Sequence, residues 1–259
     1  MTWKTQPRSK IGRLSVIGAA ADPDIVLIHG VGLRAEAWGA QIGALRGAMA
    51  MDMPGHGQSE RLKDSPQLAD FTDAIAEILT QPSVVIGHSF GAMIALDLAS
   101  RYPQMVNGVA ALNAVFQRDP QAKASVSARA TSLDGQTTVD PSATLARWFG
   151  DSPLPAREAC REWLCNVDAA GYRDAYRVFA TEDGPSEESL IALNCPALFI
   201  TGENEPNSTP LMSHRMAELA PLGRAEIVAR AAHMMPMTHA EEVNAILKGF
   251  IWSAQNDPT

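Results

Sequence analysis

Cysteine is scarce in this chain, with Cys160, Cys165 and Cys195 the only three among 259 residues. An odd count, no C-x-x-C pair and no histidine at ligand spacing argue against a disulfide framework or a metal site and predict buried thiols. Long apolar runs are missing too. No stretch approaches the roughly 20 apolar residues of a membrane span, and Met1-Thr2-Trp3-Lys4-Thr5-Gln6-Pro7 lacks the apolar core of a signal peptide. We therefore expect a cytoplasmic protein with no membrane partner. The net charge is −8 and no basic run occurs, which argues against nucleic acid and anionic lipid as partners. There is no internal repeat and no low-complexity tract.

What is present suits a large buried core: 46% of residues are hydrophobic and 19% charged, enough for one domain or one domain with an insertion. Strand-like and helix-like segments alternate, which predicts an α/β protein with a mostly parallel central sheet flanked by helices. Residues 12–19 read as an edge strand. The parallel strands are expected at 25–29, 48–53, 83–87, 106–112, 197–202 and 225–228. Leu68, Phe71, Ile75, Ile78 and Leu79 recur at helical spacing, as do Val243, Ile246, Leu247 and Phe250 in a closing helix over 241–254. Between 116 and 190 the strand rhythm stops and helix-length pieces follow one another. We expect residues 1–115 and 191–259 to form the core and 116–190 a helical cap over the carboxyl ends of the strands, with the pocket-wall residues to be found among Trp148, Phe149, Trp163, Tyr172 and Phe179 and most of these five holding the cap together.

One pentapeptide carries chemistry. Gly87-His88-Ser89-Phe90-Gly91 matches G-x-S-x-G, follows the apolar Val84-Val85-Ile86, and precedes a helical segment from Ala92 to Ser100. A strand, a sharp turn and a helix are the context in which such a serine becomes an exposed nucleophile. Acyl transfer builds charge on the former carbonyl oxygen, so two fixed N–H donors are needed. The Phe90 amide, at the start of a helix, is one candidate, and Val31, in the His29-Gly30-Val31-Gly32 loop after the earlier strand, is the other.

A serine hydroxyl needs a histidine to take its proton and a carboxylate to orient that histidine. In this topology the order is serine, acid, histidine, which removes His29, His56 and His88. Among the remaining three, His214 sits in a helical pattern and His239 reads as part of a helix cap. His233 follows a strand by a short loop and is the candidate base. Glu205, in the loop after Gly202, is the candidate acid; Glu203 is the rival and Asp119 a remote third. Met234 and Met235, beside His233, are candidate substrate contacts together with Trp148.

The His29-Gly30 loop, the run from Asp52 to Ser59, the elbow at Ser89, and Gly202 to Pro206 followed by His233 occur in the order typical of the α/β-hydrolase fold superfamily, which nearly the whole chain resembles. The family position matched by Glu205 usually carries aspartate. Where some relatives place the acid after the next strand, this chain has Asn113, which cannot serve as a carboxylate. Leu145-Ala146-Arg147-Trp148-Phe149 and Asp168-Ala169-Ala170-Gly171-Tyr172 resemble the cap of 3-oxoadipate enol-lactonases and related small esterases. The resemblance implies hydrolysis of a small ester or lactone through an acyl-serine, from aromatic or heterocyclic catabolism, by a monomer or homodimer without metal or organic cofactor. Carbon-carbon hydrolysis of a vinylogous diketone, cofactor-free perhydrolysis, and a non-catalytic ligand receptor are the alternatives on the same fold.

Overall fold

The structure, a computed structural model, describes residues 3–19, 21–63 and 65–256. Positions 1–2 and 257–259 of the expected core therefore lie outside the described residues. Eight strands, β1 (Ser9–Ile11), β2 (Leu14–Gly18), β3 (Ile25–Ile28), β4 (Ala48–Met51), β5 (Ser83–His88), β6 (Val106–Leu112), β7 (Ala197–Gly202) and β8 (Gly223–Val228), form one sheet in the order β1-β2-β4-β3-β5-β6-β7-β8. The β1–β2 and β2–β4 pairs are antiparallel and the rest are parallel.

β3, β4, β5 and β7 are buried at every residue, as expected of parallel strands covered on both faces. Their side chains alternate between the faces. Val26, Ile28 and Val85 join a cluster with Phe71 and Ile75 of α2 (Leu68–Ala76) and Met93 and Ile94 of α3 (Phe90–Arg101), α1 being Gly39–Ala44. Ile25, Leu27, Val84 and Ile86 face the other way, onto Trp38 and onto Val243, Leu247 and Phe250 of the closing helix, Ala240–Asn256. The expected helical stripes are thus the core faces of α2 and the closing helix.

One strand differs from expectation. Residues 14–18 lie second from the edge, because β1 pairs with β2 through Ser9↔Val16 and Ile11↔Leu14. β1 is three residues long and mostly exposed, so it shows no apolar pattern and forms only against the free side of β2.

Five helices stand between β6 and β7: α4 (Pro120–Ser132), α5 (Ser142–Phe149), α6 (Pro155–Asn166), α7 (Ala169–Thr181) and α8 (Glu187–Ile191). α4 to α7 pack through Ala130, Leu145, Cys160, Trp163 and Tyr176, and the same cluster takes in Leu33 from the loop after β3. Cys160 and Cys195 are buried, but Cys165 is exposed; it falls on the solvent side of α6, where the expectation of burial fails. The chain closes with α9 (Pro210–Leu219), α10 (Met235–Thr238) and α11, the helix Ala240–Asn256. No helix among the described residues is long and apolar enough to cross a membrane.

Candidate active site

β5 runs directly into α3, and the junction residue Ser89 has φ +56° and ψ −118°. A non-glycine residue in that region carries about 1–3 kcal/mol of backbone strain. The flanking glycines are what make the turn possible. A Cβ on Gly87 would lie 2.0 Å from the Gly91 carbonyl oxygen, and one on Gly91 would lie 2.2 Å from that of Ile28. Ser89 is fixed from the sheet side by its amide, which donates to Leu112 O at 2.8 Å.

The loop after β3 passes against this turn: a Cβ on Gly30 would come within 3.1 Å of Ser89 Cβ. Two buried histidines hold the loop in place. His29 Nδ1 lies 2.8 Å from Gly30 O while its Nε2 accepts the Met53 amide at 3.0 Å. His56 Nδ1 lies 3.2 Å from Pro54 O while its Nε2 accepts the Gly32 amide at 3.0 Å. Each ring therefore donates through Nδ1 and accepts through Nε2, which requires the neutral form. Burial favours the same state, pushing His29 well down and His56 down to about 4. The Asp52–Ser59 run is scaffold of the same kind. Asp52 is buried and accepts the Ala35 amide at 2.8 Å, the Gln58 amide at 2.9 Å and the Arg8 guanidinium. Neither the Val31 nor the Phe90 amide meets a protein acceptor among the described residues, and Phe90 heads a helix whose first amides have no intrahelical partner.

His233 lies in the loop between β8 and α10 and is 8% exposed. Its Nδ1 is 2.8 Å from Oε2 of Glu205, which is 3% exposed. The other carboxylate oxygen of Glu205 accepts the amides of Asn207 at 2.8 Å and Ser208 at 3.4 Å. Burial alone would raise the Glu205 carboxyl, but the His233 charge, its hydrogen bond and these amides outweigh it and bring the group down to about 2. Glu203 turns elsewhere, its Oε2 accepting the Arg230 amide at 2.7 Å. Asp119 caps α4 by accepting the Ala122 amide at 2.8 Å.

The main chain of His233 is clamped as well. Its carbonyl accepts from His88 Nε2 at 2.8 Å and from Asn113 Nδ2 at 2.7 Å. Asn113 also takes the Gly202 amide at 3.3 Å, so one side chain ties the ends of β6 and β7 to the histidine loop. Burial, then the neighbouring His233, pushes His88 down to about 3, and the neutral ring is the form whose single N–H matches a carbonyl acceptor. On its open side the His233 ring stacks on Trp148 of α5, 5.4 Å between centroids at 20°.

Ser89, Val31, His233 and Trp148 all line one cavity of about 490 Å³ between the sheet and helices α4, α5 and α7. That volume suits a small organic ligand.

Comparison with known proteins places this architecture. The Alpha/beta hydrolase family matches residues 25–246. This chain belongs to that family. It is 38% identical over 236 residues, 88% of this chain and 89% of the other, to the (E)-2-((N-methylformamido)methylene)succinate hydrolase of Acinetobacter baylyi. It is 28% identical over 244 residues, 88% of this chain and 93% of the other, to a pimeloyl-[acyl-carrier protein] methyl ester esterase of Stenotrophomonas maltophilia. Among solved structures, the enol-lactonase of Burkholderia xenovorans superposes with a TM-score of 0.80 at 20% identity, over 95% of this chain and 99% of that one.

In this α/β hydrolase the residues singled out from sequence separate into two groups. Ser89, Val31, His233, Trp148, Tyr172 and Phe179 line the cavity. Phe149 and Trp163 instead hold the helices between β6 and β7 together. Met234 and Met235 do not line the cavity: Met234 packs into that same helical cluster, and Met235 packs under the sheet with Val243 and Leu247. The chain enters α10 immediately after His233, and the turn carries both thioethers inward. His214 is exposed on α9, and His239 bonds Thr238 at the end of α10 at 2.9 Å. Sequence reasoning missed three arginines in the cavity wall, Arg118, Arg129 and Arg147; with Arg118 in the loop before α4, Arg129 on α4 and Arg147 on α5, each reads in sequence as an ordinary solvated charge.

Proposed function

We propose that this α/β hydrolase cleaves a small carboxylic ester or lactone through an acyl-enzyme on Ser89, with His233 as base and Glu205 as its orienting acid. The supporting observation is that Ser89, on a strained turn, shares a cavity with a histidine whose Nδ1 sits 2.8 Å from a buried carboxylate. In this reading residues 116–190 form the cap. Ser89 Oγ attacks the carbonyl carbon as its proton passes to His233 Nε2, and Glu205 stabilises the imidazolium. The electron pair displaced onto the carbonyl oxygen faces the Val31 and Phe90 amides, an arrangement in which each donor is worth about 10²–10³ in rate. Collapse breaks the bond to the leaving group, which takes the proton back from His233. A water then gives its proton to His233 and adds to the acyl carbon; collapse of this adduct breaks the bond to Ser89 Oγ, which takes that proton from His233 as the acid is released.

The name of the Acinetobacter baylyi relative describes an N-acylated compound, so activated amides belong in the substrate screen beside esters and lactones. The test is a burst assay with p-nitrophenyl acetate and butyrate. A burst stoichiometric with enzyme, lost in Ser89→Ala and His233→Ala, supports the reading. If no burst occurs and no turnover depends on Ser89, the acyl-serine reading falls, leaving carbon-carbon hydrolysis, judged by products, or ligand binding without turnover.

A further inference from the structure

The lining of the cavity differs in charge from the rest of the molecule. The chain carries 21 basic and 29 acidic residues. Among the described residues the cavity lining has three arginines and a single carboxylate, Asp119, which is engaged as the cap of α4. The three arginines are not equivalent. Arg118 is held by the carbonyls of Glu182 and Phe179, at 2.5 and 3.0 Å, and lies over the Phe179 ring. Among the described residues Arg129 donates only to the Tyr172 hydroxyl, at 2.9 Å, and its Nε is buried without a hydrogen-bond partner. Arg147 is exposed at the end of α5, and among the described residues no carboxylate pairs with it or with Arg129.

A second, independent sign lies beside them. Thr144, 4% exposed, lines the same cavity with its Oγ1 buried and unpartnered. Buried polar groups in native proteins nearly always find partners. A guanidinium with a vacant N–H, a second guanidinium without a counter-ion and an orphaned hydroxyl on one wall are complementary to an anion with several acceptor oxygens. The Tyr172 hydroxyl accepts from Arg129, which leaves its own proton to donate. Tyr176 marks the convergence: burial raises its phenol against the opposing charges of Arg129, Arg147 and Arg118.

We propose that Arg129 and Arg147, with Thr144 and the Tyr172 hydroxyl, form a carboxylate subsite, so that the preferred substrate is an acyl compound carrying a free carboxylate away from the bond that is cut. A half-ester of a short dicarboxylic acid is the simplest member of that class. This inference rests on the serine-hydrolase reading for its turnover assay, and a binding assay separates the two.

The turnover probe is mono-p-nitrophenyl adipate against p-nitrophenyl hexanoate, a pair that differs by a terminal carboxylate in place of a methyl group. The wild type is expected to favour the adipate in kcat/KM by about 10- to 100-fold. The preference should collapse in Arg129→Gln and in Arg147→Gln, and should persist in Lys248→Gln, which removes an equal charge from the exposed face of α11. Equal kcat/KM for the two esters, or the same loss of preference in Lys248→Gln, overturns the subsite. If neither ester is turned over, calorimetry on Ser89→Ala with monomethyl adipate and dimethyl adipate decides independently of catalysis. Tighter binding of the monoester, abolished by Arg129→Gln, sustains the subsite; equal binding, or none, overturns it.

Discussion

The two walls of the cavity are built on opposite terms. On the sheet side each group proposed for chemistry is held from several directions. Ser89 is fixed by strand and helix, Glu205 accepts two amides besides His233, and the His233 carbonyl takes hydrogen bonds from both His88 and Asn113. On the helical side, Arg129 and Thr144 keep buried donors without partners. Reaction geometry tolerates little error, so a catalytic wall is over-determined, whereas a recognition wall must leave valences for the ligand to fill.

The largest expected effect breaks the sheet-side wall. Glu205→Gln keeps the shape but removes the charge that, in the proposed mechanism, stabilises the His233 imidazolium, and loss of a triad acid lowers kcat by about 10⁴. Glu203→Gln alters only a contact to the Arg230 amide and should stay within about twofold of wild type. Steady-state kinetics on the two variants decides between them; the reverse pattern would move the acid to Glu203.

A smaller effect is expected one step behind the reacting groups. Asn113→Asp keeps the side-chain shape but sets an acceptor against the His233 carbonyl, where Asn113 Nδ2 donates at 2.7 Å. A displaced histidine loop should lower kcat by about 10- to 100-fold with KM little changed. The circular dichroism spectrum should remain that of the wild type, and a wild-type kcat would make this clamp dispensable.

The contrast between the walls also governs what sequence alone reveals. The elbow is legible because sterics leave no choice: Gly87 and Gly91 sit where any Cβ would meet backbone oxygen. His233 and Glu205 follow from chain order and from the loops that end β7 and β8. The division of labour between Glu205 and Glu203 depends on a turn that points one carboxylate inward and the other toward Arg230, and spacing does not encode that. The pairing of β1 is equally hidden, since its three residues borrow their hydrogen bonds from β2. Arg129 and Arg147 lie on separate helices, and only the packing of α4, α5 and α7 brings them to one wall.

Acid should weaken the sheet side through its neutral histidines. Burial lowers His29 well below its ordinary value, His56 to about 4 and His88 to about 3. A histidine depressed in the folded state binds its proton first in the unfolded state, so stability falls as pH drops below about 6.5 and continues falling to each folded value. The loss is at most about 1.4 kcal/mol per pH unit for each ring. Glu205, down at about 2, stays ionised through most of that window. Urea denaturation between pH 7 and 4.5 should show the midpoint moving steadily down, and a flat midpoint would mean that these rings are protonated in the native protein.

The smallest effect is expected at the residues whose nearness to His233 in sequence is misleading. Met234 is buried among Leu33, Trp163 and the helices between β6 and β7 and does not line the cavity. Met234→Leu conserves volume, and such swaps in a core cost under about 1.5 kcal/mol. KM should therefore remain within about threefold of wild type, whereas Arg129→Gln should weaken the carboxylate-bearing ester far more. If instead Met234→Leu changes KM as much as Arg129→Gln does, the thioether reaches the ligand, and the recognition wall extends under His233 as well as across the cavity from it.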